Sequence, residues 1–251
     1  MDQQHNTQTP GAQPPPAPKP RGEFQNLMTR GEKIAGWIYL PVHVLLLPLL
    51  LSSIFYALSG GSELPDGVTL NVWYYLIGLI VLLALQFRFF RESYHVLVRD
   101  LRRALLTMVI GYGILVVCNV ALNLIVQIFG SLPGSPNDDA VESLAQIDNR
   151  RMAAIGVIMA PIVEEALFRG MIFGSIRPKS RVAAYVVSIV LFSIYHVWQY
   201  AVADLSLLPL VSAVAYVPIS FVLAFCYDRT NSIWTPIFFH MFYNALALSL
   251  R

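Results

Sequence analysis

Two adjacent carboxylates, Glu164 and Glu165, lie inside the apolar stretch MAAIGVIMAPIVEEALFRGMIFGSI (residues 152–176), and Arg169 follows four residues after the second. A charged side chain near the centre of a bilayer costs about 2.5–3.5 kcal/mol on insertion scales, and a leucine at each position would remove that cost. An ionisable cluster of this kind marks a functional site facing the protein interior. Residues four apart share a helix face, so Glu165 and Arg169 can form an ion pair along the helix. Glu164 is turned about 100° away on a 3.6-residue helix and is left without that partner. One carboxylate then reads as structural and the other as free for chemistry, and an unpaired acid in a desolvated site suits general-base work near neutral pH. The plain alternative is a buried salt bridge holding helices together. Pro161 lacks an amide hydrogen and should clash with the carbonyl of Val157, kinking the helix just before the acids. Gly170 and Gly174 form a GxxxG pair that would admit a close neighbour.

Two further polar groups sit in apolar surroundings. LFSIYHVWQY places His196 among Phe192, Tyr195 and Trp198, and PIFFHMFYNALAL places His240 and Asn244 four apart on one helix face. A lone histidine among aromatics is often a satisfied core residue, and polar residues in membranes often serve as interhelical hydrogen bonds. Depth argues for more. Counted at 1.5 Å per residue from one end of their spans, Glu164, His196, His240 and Asn244 lie at roughly 18, 21, 12 and 18 Å, in one central layer. The other histidines, His5 in the amino-terminal tail, His43 near the start of the first span and His95 in a basic connection, read as solvent-facing or locally bonded.

The elements that must position these groups are membrane helices. Hydrophobic residues make up 56% of the 251-residue chain and charged residues 13%, and mean hydropathy is +0.60, which excludes an ordinary soluble domain. The net charge of +2 and the absence of a basic, aromatic-interleaved patch give no reason to expect nucleic acid. Cys118 and Cys226 provide neither a disulfide framework nor metal-type spacing and read as small packing residues. Residues 1–33, with TPGAQPPPAPKPRG, read as a disordered or polyproline tail with no signal-peptide core. From Trp37 onward, windows long enough to cross about 30 Å of hydrocarbon recur at 37–58, 70–90, 104–129, 152–176, 182–203, 206–227 and 232–250. No internal repeat of the transporter kind is present.

Charges between these windows alternate. Lys19, Arg21, Arg30 and Lys33, then Arg88, Arg91, Arg99, Arg102 and Arg103, then Arg177, Lys179 and Arg181, then Arg229 all fall on one side. The other side holds Glu63, Asp66, Asp138, Asp139, Glu142, Asp148 and Asp204, opposed by Arg150, Arg151 and Arg251. The positive-inside rule then places the amino terminus in the cytoplasm and the carboxy terminus outside. The expectation is an all-α polytopic membrane bundle of seven or eight transmembrane helices, spanning 34–251, with its polar site buried in the core.

EEALFR (Glu164 to Arg169), FSIYH (Phe192 to His196) and HMFYN (His240 to Asn244) occur in the order and spacing of the CAAX-prenyl-protease and bacteriocin-processing (CPBP, Abi) family of intramembrane proteases, which this chain resembles over about 150–250. The resemblance implies a glutamate-type intramembrane endopeptidase with eight spans. Glu164 and His196 would activate a water, His240 and Asn244 would form an oxyanion hole, and Glu165, Arg169 and Phe192 would support the site. It implies a peptide or membrane-protein substrate, lipidated in some relatives, a bilayer, and a bacterial plasma membrane. No cofactor is expected. A divalent metal such as zinc, held by Glu164, Glu165, His196 and His240, is the alternative mechanism, since carboxylates and imidazoles are ordinary ligands. HExxH, GxSG and GxGD signatures of other membrane proteases are absent. A catalytically silent scaffold of the same fold and a proton-coupled transporter are the other function classes; the full motif set argues against the first and the missing repeat against the second.

Overall fold

The computed structural model describes residues 24–130 and 132–249. Every regular element among them is helical. Among the described residues four helices are long and apolar enough to cross a membrane: α1 (Arg30–Leu58), α2 (Gly67–Leu85), α4 (Leu101–Phe129) and α9 (Leu208–Thr230). Between them lie α3 (Phe87–Arg99), α5 (Pro136–Ile147), a long interrupted helix α6 (149–176), α7 (Arg181–Tyr195) and the short α8 (Trp198–Ala203), with α10 (Trp234–Ser249) closing the chain. The protein is a polytopic helical membrane bundle. The three other expected spans correspond to α6, to α7 with α8, and to the 16-residue α10.

Several expected boundaries move, each for a local reason. The tail expected at 1–33 cannot run that far. Thr29 and Glu32 form a reciprocal capping box that starts α1 at Arg30, and Phe24 packs edge-on against Phe173 and Tyr227. The proline-rich stretch at 1–23 lies outside the described residues. The second span ends at Leu85 rather than residue 90, because Gln86 leaves helical geometry (φ −122°, ψ 24°). The chain then enters α3, which buries Phe89, Phe90, Ser93 and Leu97 and exposes Arg88, Arg91 and Arg99. That division of faces belongs to a helix lying along an interface. Glu32 ties α3 to α1 by accepting the Phe89 amide at 2.8 Å. The fifth span, expected at 182–203, breaks after Tyr195 and resumes as α8.

Core and lipid faces separate by helical period. In α4 the buried residues are Ala104, Thr107, Gly111 and Leu115, while Val109, Val117, Leu124 and Ile128 are exposed. Small residues on the inner stripe let helices approach. A Cβ on Gly111 would sit 3.0 Å from Val222 Cγ1 of α9. Gly170 is tighter still, with Phe89 Cε1 and Met28 Cε each 2.9 Å from where its Cβ would stand. The Gly170–Gly174 pair therefore admits side chains of α3 and of the segment before α1. Both cysteines are free, with Cys226 buried.

Helix α6 is the axis of the bundle, touched by α2, α7, α9 and α10, and is buried without interruption from Ala160 to Gly174 except at Ile162. It is not uniformly α-helical. Ile155–Met159 and Ala166–Phe173 are π-helical, a winding found mostly in short stretches and often at functional sites.

Candidate functional site

The register of α6 explains how its acids are presented. In the first π segment the Ala160 amide donates to the Ile155 carbonyl, five residues back. The next amide in that ladder would be Pro161's, aimed at the Gly156 carbonyl, but proline has no N–H. The expected clash with Val157 is thus replaced by a wider turn that leaves Gly156 O without its ladder donor. Asn244 Nδ2 of α10 fills that vacancy at 2.7 Å. A carbonyl can only accept, so the nitrogen faces Gly156 and a second amide hydrogen remains available.

Glu164 and Glu165 then point to different partners. Glu165 is fully buried. Its Oε1 accepts from Arg169 Nη1 at 3.1 Å and lies 3.0 Å from His240 Nδ1. Arg169, also fully buried, donates through Nη2 to the Ser220 carbonyl at 3.0 Å and to Ser220 Oγ at 2.9 Å, and its guanidinium lies 4.1 Å above the Phe192 ring. The pair anchors α6 to α9 and α10.

Glu164 faces the other way. Tyr75 of α2 donates to its Oε1 at 3.0 Å, and its Oε2 lies 3.8 Å from His196 Nε2 and 3.9 Å from His240 Nε2. Both are too long for direct hydrogen bonds and suit a single bridging water. The break after Tyr195 is what turns His196 inward. Its Nδ1 lies 2.8 Å from the Phe192 carbonyl, so Nδ1 carries the proton and Nε2 presents a lone pair to Glu164. His240 is held likewise, Nδ1 on the Glu165 carboxylate and Nε2 towards Glu164. In the neutral ring that Nε2 is an acceptor; it donates only as an imidazolium.

These groups line one cavity of about 490 Å³, to which Tyr75, Tyr195, Trp198, Tyr243 and Asn244 also contribute. All of the motif residues are brought together, although Asn244 stands on the wall beside Gly156 while Glu165 and Arg169 lie behind Glu164, off the cavity lining. The metal set of two carboxylates and two imidazoles is not assembled as a whole, because Glu165 Oε1 is committed to Arg169 and to the far nitrogen of His240. Among the described residues no group of three or more His, Cys, Asp or Glu side chains has a metal-holding arrangement.

Sequence reasoning missed the tyrosines. Tyr75 bonds Glu164 directly, Tyr74 and Tyr195 share a hydrogen bond of 3.0 Å, and Tyr216 stacks on the His196 ring at 4.4 Å. A tyrosine in an apolar span reads as packing or as an interfacial belt; a Tyr74–Tyr75 pair well inside its span was the available signal. His43, which reads from the sequence as solvent-facing or locally bonded, is fully buried; its local partner is the Tyr39 hydroxyl at 3.3 Å, and its ring stacks on Tyr74 at 4.4 Å.

Residues 148–246 match the model of a family described as type II CAAX prenyl endopeptidase, Rce1-like. YdiL of Bacillus subtilis (strain 168), whose name marks it as a candidate membrane peptidase, is 34% identical over 125 residues, which cover 49% of this chain and 46% of the relative. The chain thus spans about half the length of the curated relative it matches. No solved structure matches it.

Proposed function

We propose that this chain, whose residues 148–246 match the model of the Rce1-like type II CAAX prenyl endopeptidases, is an intramembrane endopeptidase that cleaves a peptide or membrane-protein substrate with a glutamate-activated water. The observation that carries the reading is the convergence on Glu164 Oε2 of two imidazole Nε2 atoms, each ring held from behind through Nδ1. A water in that space can lose a proton to Glu164, assisted by the His196 lone pair, while its oxygen attacks the scissile carbonyl. The oxyanion that forms needs preorganised donors. The second amide hydrogen of Asn244 is one. His240 supplies the other from Nε2 as an imidazolium, a form in which two carboxylates, one guanidinium and one imidazolium balance in charge. Glu165 orients His240 through Nδ1, as a carboxylate behind a catalytic imidazole does. The proton held by Glu164 then passes to the leaving amine.

Glu164→Gln keeps the shape of the side chain and removes the base. Quantitative proteomics of new peptide termini, comparing membranes with wild-type protein and with Glu164→Gln, should show termini that vanish in the variant. A variant that folds and retains near-normal cleavage refutes the assignment.

One observation favours a second reading. Rings tied through Nδ1 to a carboxylate and to a carbonyl are also how metal-binding histidines are oriented; Glu164, His196 and His240 do not stand in a metal-holding arrangement here, so this reading requires the three to draw together around a divalent ion, which would supply Lewis acidity at the same place. Activity after exhaustive chelation separates the two readings.

A further inference from the structure

The cavity above Glu164 reaches only one end of the bundle among the described residues. Its lining includes Ser52 and Asn71, near the acidic ends of α1 and α2, Asn137 and Asp138 of α5, and Gln199 and Tyr216 beyond the His196 break. No Lys or Arg lines it. Towards the opposite end the path is closed. Glu165 and Arg169 fill α6 immediately below Glu164, and Phe24, Phe89, Phe173 and Tyr227 are buried beneath them. That closed end carries the basic connections, where Arg177 and Arg181 bridge Asp228 at 2.5 and 2.8 Å, and the interfacial helix α3 with its outward arginines. A basic amphipathic helix fits an anionic inner leaflet. The loop charges, three of which are the arginines of α3 itself, and the amphipathic division of that helix together place the closed end on the cytoplasmic side.

We infer that the peptide reaches Glu164 from the non-cytoplasmic face, and that the substrate is a membrane-adjacent segment displayed there, apolar at the scissile bond and flanked on its outer side by Lys or Arg. The cavity wall is aliphatic and aromatic, with Leu51, Leu70, Ile155 and Ile219 among its lining, which suits an apolar segment. The rim is acidic. Asp138 lines it and accepts from Tyr216 at 3.0 Å, Asp139 and Glu142 lie on the same helix, and Asp148 beyond its end is paired with Arg151, so a basic flank is drawn in and an acidic one repelled. Residues Ser135 and Asn137 also bond the Tyr216 hydroxyl, at 2.6 and 3.2 Å, pinning α5 across the mouth at the residue that stacks on His196.

The class of substrate rests on the endopeptidase reading; the direction of access does not, and two measurements keep them apart. In a chain with Cys118→Ala and Cys226→Ala, Gln199→Cys and Ala247→Cys line the cavity, and Lys179→Cys marks the closed end. A membrane-impermeant maleimide should label the first two in right-side-out vesicles and the third only in inverted ones. The reverse pattern, or no labelling of the cavity cysteines from either side, overturns the access route. Termini that depend on Glu164 should map to non-cytoplasmic segments next to a span, with Lys or Arg flanks. Glu164-dependent termini on cytoplasmic segments, or with acidic flanks, overturn the substrate class while leaving the peptidase intact. Labelling from outside with no Glu164-dependent termini overturns the peptidase reading and leaves the access route standing.

Discussion

Arg169→Met is the substitution whose cost the structure specifies best. Methionine keeps much of the length and removes the charge. Glu165, at zero exposure, then loses its guanidinium partner, and breaking a buried pair from one side costs about 3–5 kcal/mol because the remaining charge is uncompensated. The Ser220 carbonyl and hydroxyl lose their donor, a loss on the order of 1–3 kcal/mol for buried groups, and the contact with the Phe192 ring goes with it. These contributions share atoms and do not add in full. A net destabilisation of about 4 kcal/mol follows, and at 2–4 °C per kcal/mol for a chain of this size that lowers Tm by roughly 8–16 °C. Thermal unfolding of detergent-purified protein, read by intrinsic fluorescence, measures it. The sharper test is the double variant Glu165→Gln/Arg169→Met. Glutamine Oε1 still accepts from His240 Nδ1, and removing both charges leaves none buried and unpaired, so the double variant should be more stable than Arg169→Met alone. An Arg169→Met protein that melts within about 2 °C of wild type, or a double variant no better than the single, refutes the buried-charge argument.

Tyr75→Phe removes the hydrogen bond to Glu164 Oε1, worth about 1.5–3 kcal/mol for a bond to a charged group; Tm should fall by roughly 3–12 °C in thermal unfolding, and kcat roughly tenfold or more with KM nearly unchanged in single-turnover cleavage of a substrate in proteoliposomes. Asn244→Ala should depress kcat by about 10²–10³ if one oxyanion donor is lost; Asn244→Asp should be at least as damaging, and normal kcat with weakened binding would make Asn244 a substrate clamp instead. Chelator-stripped enzyme should remain active, whereas loss of turnover restored specifically by zinc or cobalt would establish the metal-dependent reading.

Local pattern determined a good deal of this protein. The run of apolar windows is a property of composition, so the helical membrane class follows from the sequence alone. The Glu165–Arg169 pair follows as directly, because i and i+4 share a face wherever the helix lies. The common layer of Glu164, His196, His240 and Asn244 follows from counting residues along each span. Other features depended on which helices become neighbours and how each is rotated. Only the approach of α10 to α6 puts His240 Nδ1 on Glu165 and reduces its Nε2 to a conditional donor. Only the π-helical register frees the Gly156 carbonyl that Asn244 takes, and that winding follows the proline together with the packing around it. The break at His196, the hydroxyl of Tyr75 on Glu164 and the burial of His43 beneath Tyr74 are likewise contacts between distant segments. A periodic apolar pattern records that a face is buried and is silent about what it is buried against, because any apolar neighbour satisfies the same hydrophobic requirement. Hydrogen-bonded partners are specific, and their identity is decided when the helices assemble.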